Sequence, residues 1–166
     1  MPMIPFMERF RDLAARETRS VTVFGRTDIP DGEYGFLELF CDEPGCDCRR
    51  VMIAVLRSDT DLNKIWASIN YGWESFEFYK QWGGSWFTEA DAMGPFLDPL
   101  NPQTPYSPAL LNLFRFLLKS PDYARRIQRH YEIFRQTLLF TALPLAANDP
   151  EIPRLASKWP STRPNF

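Results

Sequence analysis

The chain is poor in the residues on which most acid–base enzymes and most disulfide frameworks are built: its 166 residues include one histidine and three cysteines. A lone histidine leaves little for the common His-centred proton-transfer machinery. An odd trio of cysteines, packed between positions 41 and 48, does not make the paired scaffold of a small secreted domain. Long apolar runs are missing too. The most apolar stretch, Leu110 to Leu118, is broken by Asn112 and Arg115 and falls short of the roughly 18 consecutive apolar residues of a membrane-spanning helix. A surplus of basic charge is also lacking. The formal net charge is -2 and the isoelectric point about 5.5, which argues against general nucleic-acid binding because that affinity comes from Lys and Arg neutralising phosphates.

Several motifs are absent as well. There is no Walker phosphate loop, no GxGxxG, no HExxH and no GxSxG. Neither half of the zinc-deaminase signature is present, and a fourth cysteine for an ordinary iron–sulfur site is wanting. The opening residues carry Glu8, Arg9 and Arg11 where a secretory signal needs an unbroken apolar stretch. We therefore expect a cytoplasmic protein with no membrane association.

What is present is ample material for a core: 45% of residues are hydrophobic and 15% aromatic, enough for one domain at this length. Phe6, Phe10, Leu13 and Ala14 recur at helical spacing behind Pro5, predicting an N-terminal helix over 6–17. Segments 20–24, 33–41, 50–56 and 64–73 are rich in β-branched and aromatic residues and are divided by polar turns. They read as a small antiparallel sheet of about four strands. In the middle two, apolar residues fall on both parities, predicting cover on both faces. Segment 74–82 reads as a short helix, and the Gly- and Pro-rich stretch after it as a loop whose aromatics Trp82, Trp86, Phe87 and Phe96 wrap the core. Ser107 with Pro108, and Ser120 with Pro121, are two helix-start signals in which Ser can cap and Pro suits the first turn. The expected architecture is α+β, a single domain over 1–142 with its N-terminal and C-terminal helices packed on the sheet. A proline-punctuated tail or arm follows over 143–166.

Cys41, Cys46 and Cys48 lie between two strand patterns, with Pro44 and Gly45 supplying a turn. Three sulfurs at one hairpin tip are donors that suit Zn²⁺, which takes a tetrahedral shell of Cys and His. The fourth ligand is open at this point: His130, a carboxylate of Asp42, Glu43 or Asp47, or water. His130 falls between Ile127 and Phe134 on the apolar side of its helix, so it reads equally as a ligand pinning that helix to the hairpin or as a satisfied core histidine. The competing reading of the cysteines is three small hydrophobes beside a turn. A Cys46/Cys48 redox pair lacks the usual CxxC geometry. A nucleophilic Cys48 working with His130 is the enzymatic alternative. Arg49 and Arg50, with Arg125, Arg126, Arg129 and Arg135 on the last helix, could form an anion patch, or a solvated face paired with acids such as Glu132.

Segments 41–50 (CDEPGCDCRR), 94–111 (GPFLDPLNPQTPYSPALL) and 125–135 (RRIQRHYEIFR) resemble an uncharacterised bacterial family with a C-x4-C-x-C pattern, some members of which also carry a C-terminal SEC-C zinc motif. The resemblance implies zinc at Cys41, Cys46 and Cys48 and marks His130. The chain has no cysteine-rich SEC-C segment, so that module's binding role is not carried over. Taken together, these readings predict a zinc-stabilised binding or adaptor domain with a structural metal site and a protein partner. The alternative is a metal- or thiol-dependent enzyme using an open zinc position or Cys48.

Overall fold

The computed structural model describes residues 3–61, 64–84, 88–92 and 94–142. The expected tail over 143–166 and the loop aromatics Trp86 and Phe87 lie outside them. In chain order the elements are β1 (Met3–Pro5), α1 (Phe6–Arg9), α2 (Arg11–Glu17), β2 (Arg19–Val23), β3 (Gly32–Cys41), β4 (Arg50–Arg57), β5 (Ala67–Gly72), α3 (Phe76–Gly83), α4 (Glu89–Ala92), β6 (Phe96–Leu97), α5 (Ser107–Leu117) and α6 (Pro121–Ala142).

Side-chain alternation along β3 decides which side of the sheet is the core. Tyr34, Phe36, Glu38 and Phe40 are buried, while Gly35, Leu37 and Leu39 between them are only half-buried, as expected of a strand with one well-covered face. Register carries that alternation across the sheet. Phe36 stands opposite Val55 and Val55 opposite Ala67, while Glu38 pairs with Ile53 and Ile53 with Ile69. The helices α5 and α6 close over this face. Phe114 stacks against Phe36 at 6.0 Å and meets Tyr71 edge-on, and Phe134 and Tyr131 lie against Phe40. The buried residues form one continuous core.

All strand pairing is antiparallel, in the order β1-β3-β4-β5-β6, with β2 also on β3. The fold is thus α+β, with six strands rather than about four. The two additional strands, β1 and β6, are three and two residues long, too short to carry a readable period. The single helix expected over 6–17 is broken at Phe10, whose φ of -130° and ψ of 55° are not helical. Its ring stacks on Phe6 at 4.9 Å while its amide closes the first short helix onto the Phe6 carbonyl. Ser107 does not cap α5 as expected. It is buried, and its hydroxyl donates to the Trp66 carbonyl at 3.0 Å and accepts the Thr104 amide at 2.9 Å, tying the helix start to the start of β5.

Cover on the reverse face is partial, not complete as the sequence predicts. Leu37, Leu39, Met52 and Leu56 remain half-buried there, and α3 closes only one end, where the buried Arg50 lies over the rings of Tyr79 and Phe96. Among the described residues no helix is long and apolar enough to cross a membrane.

Phe114 is fully buried whereas Phe116, two positions along the same helix, is 65% exposed. Replacing Phe114 by Ala is expected to cost about 3–5 kcal/mol of unfolding free energy and Phe116 by Ala less than about 0.5 kcal/mol. Urea titration of the two variants checks the difference.

Candidate metal centre

The centre is built on the connection between β3 and β4. Residues 43–46 turn back on themselves, with the Cys46 amide donating to the Glu43 carbonyl at 3.2 Å. Pro44 presets the first turning residue, and Gly45 takes the second at φ +77°, the position where a type II turn needs glycine. Past the turn, Arg49 has φ +46°, a left-handed conformation that a residue with a Cβ holds only when its surroundings compel it. Here they do. Tyr131 of α6 accepts the Arg49 amide at 3.2 Å, Tyr79 of α3 donates to the Arg49 carbonyl at 2.7 Å, and the guanidinium pairs with Asp47 and Glu74, each at 2.9 Å.

The two bends bring Cys41, Cys46 and Cys48 together, all three sulfurs lying within 4.8 Å of one another in an arrangement that could hold a metal ion. No disulfide joins any two of them. Cys41 and Cys48 are buried and Cys46 is half-buried, so the cluster meets solvent on the Cys46 side. Burial pushes each thiol above its ordinary value, and the charge of one neighbouring sulfur raises each further. Backbone hydrogen bonds oppose this, from Glu43 to Cys41, from Cys48 to Cys46 and from Arg50 to Cys48. A cation that binds must displace thiol protons, and those amides then stabilise the thiolates left behind.

His130 does not join the cysteines. It is 1% exposed, its Nδ1 lies 2.7 Å from Glu38 and its Nε2 lies 2.8 Å from Glu17. Its ring stacks on Phe6 at 4.3 Å. With both nitrogens held by carboxylates, this histidine has no lone pair directed at a metal, and its role is that of a satisfied core residue. The neighbouring Tyr131 is the α6 residue that reaches the loop, through Arg49 and Asp47, and Arg135 donates to the Glu43 carbonyl at 3.0 Å. Of the carboxylates considered as alternatives, Asp47 is held by Arg49 and Tyr131 and Asp42 lies 3.8 Å from Arg9, while Glu43 is exposed, with its charge close enough to Cys41 to raise that thiol. Among the described residues, the metal-capable set is the three cysteines alone.

The partner of His130 was legible in principle. Glu38 shares its parity with Tyr34, Phe36 and Phe40 on a core strand, and a carboxylate at such a position demands a buried partner. Beside the loop lies a polar cleft of about 330 Å³, lined by Asp47, Arg49, Trp73, Glu74, Gln128, Tyr131 and Glu132. No protein-family model matches the chain, and neither a curated protein nor a solved structure matches it.

Replacing His130 by Leu leaves Glu38 buried without its partner, so a loss of about 3–5 kcal/mol is expected, while metal content per folded chain stays at the wild-type value. Denaturant titration and metal analysis of the soluble fraction check both halves. Glu17 keeps its carboxyl below the ordinary 4.5 despite desolvation, because His130 and Arg129 hydrogen-bond its charged form. A depressed carboxyl stabilises the fold above the unfolded value and loses that contribution as pH falls through the folded one. The wild type should therefore exceed Glu17→Gln in stability above about pH 4.5 and converge with it on further acidification, as followed by thermal melts across pH.

Proposed function

We propose that Cys41, Cys46 and Cys48 hold one zinc ion and that the chain is a zinc-stabilised binding domain. The observation that carries this reading is the convergence of three sulfurs within 4.8 Å at one hairpin tip. Thiolates at short loop spacing suit zinc, which has no redox chemistry of its own and tolerates the coordination geometry a loop imposes. An ion there would brace residues 42–49, which are tied to α6 through Tyr131 and Arg135 and face α1 through Arg9 and Asp42. Metal binding would then contribute directly to folding free energy.

The closed shell of three thiolates and His130 has no support in the geometry, because both His130 nitrogens face carboxylates. A reactive Cys48 thiol has none either, since that group is 3% exposed and burial raises its pKa. The second reading, a metal-dependent enzyme with an open zinc position, is favoured by one observation, the carboxylate-bearing cleft next to the loop.

Metal analysis of protein purified under reducing conditions is expected to find about one zinc per chain. Cys46→Ser, at the half-buried member of the trio, should abolish that content and lower the thermal midpoint to that of chelator-treated wild type. Protein that is metal-free as purified, cannot be loaded with zinc and melts like Cys46→Ser would end the zinc reading. In a separate variant, Gly45→Ala adds a Cβ that meets nothing within 4 Å, so its cost is purely conformational. It should destabilise the metal-loaded protein by about 1–2 kcal/mol, measured by thermal or denaturant melts.

A further inference from the structure

Zinc is almost always four-coordinate in proteins, and this loop offers it three donors. Thiol and imidazole donors can be counted over the whole sequence, which has three cysteines and one histidine. All three cysteines are in the cluster, and the histidine is held between Glu38 and Glu17. A fourth thiolate or imidazole therefore has to come from outside these 166 residues. Among the described residues no carboxylate completes the set.

Resting on the zinc reading above, we propose that the fourth position is a binding site for a small thiol. Three thiolates make the ion a soft acceptor, for which sulfur is the matching donor. The cluster is half-open at Cys46, which gives an incoming ligand its approach. A fourth thiolate adds negative charge, and the surroundings suit it. The cationic Arg135 reaches the loop, donating to the Glu43 carbonyl at 3.0 Å. The cleft beside the loop is lined by Asp47 and Arg49, the neighbours of Cys48, and not by the cysteines themselves, and it offers groups of both signs, with Arg49 facing Glu74 and Asp47, and Glu132 also in its lining. Such a cleft fits the ammonium and carboxylate of a zwitterionic thiol better than an uncharged one. The binding step is a ligand exchange: a Zn–S bond forms, the bond to a water molecule breaks, and the thiol proton passes to solvent. Nothing is oxidised or reduced.

The test uses the full chain, reduced and loaded with Co²⁺ as a spectroscopic stand-in for zinc. Free cysteine is titrated in, with serine and imidazole as comparison ligands, and the protein is then separated from small molecules and assayed for cobalt. The proposal expects tetrahedral cobalt absorption whose sulfur-to-metal charge-transfer band grows toward the ratio of four Co–S bonds to three. The rise should saturate with cysteine, be absent with serine, and leave the cobalt on the protein. Absence of any cobalt–thiolate absorption overturns the zinc reading itself. A tetrahedral spectrum indifferent to cysteine overturns the thiol site while leaving the zinc reading in place, as does a response to imidazole alone or removal of the cobalt by cysteine.

Discussion

The pairing of β3 with β4 sets Leu39 opposite Met52 and Leu37 opposite Ala54, and the cysteine cluster exists only in that register. It ends one strand at Cys41 and starts the other at Arg50, so the residues between must turn back within a short loop. A slip of one position would send every side chain of a strand to the opposite face. Phe36 and Phe40 would leave the core, Glu38 would lose His130, and Cys41 would point away from Cys46 and Cys48. The register is held at both ends of the ladder, by the aromatic contacts under α5 and α6 and by the Pro44–Gly45 turn.

The loop is fixed by groups from both sides of the sheet. Arg49 has its amide held by Tyr131 of α6 and its carbonyl by Tyr79 of α3, so helices on opposite faces grip one residue. A left-handed conformation at a non-glycine position costs on the order of 1–3 kcal/mol. These hydrogen bonds, with the ion pairs to Asp47 and Glu74, offset that cost and set the direction of the Cys48 side chain next to it. Residues of ordinary type thus impose the geometry, and the sulfurs follow.

The sheet and the long helices were legible because they carry strong periodic signals. Segments 33–41 and 50–56 coincide closely with β3 and β4, and the proline signals at 108 and 121 sit in the first turns of α5 and α6. What was not legible lacked a period: β1 and β6 are too short, and the break at Phe10 is set by its stacking on Phe6, a tertiary preference that helical spacing hides. At the site, the cysteine spacing pointed to the convergence, but the assignment of His130 depended on a contact across 92 positions of sequence. Helical spacing placed His130 on the apolar face without saying what waits there. Parity placed Glu38 on the core face, and only together do the two facts make the pair.

The margins of the sheet have a consequence for assembly. One side is divided between β1 and β2, of three and five residues, separated by the two short helices. On the other side β6 covers only two residues of β5, but the side-chain amide of Gln103 takes the place of a further strand, accepting from the Ser68 amide at 3.3 Å and donating to its carbonyl at 2.8 Å. Hydroxyls of Thr104 and Ser107 occupy the Trp66 carbonyl just before it. Such interrupted and occupied borders shorten the ladder on which another polypeptide could template itself, and on the β5 side the residues that lead into α5 do the occupying.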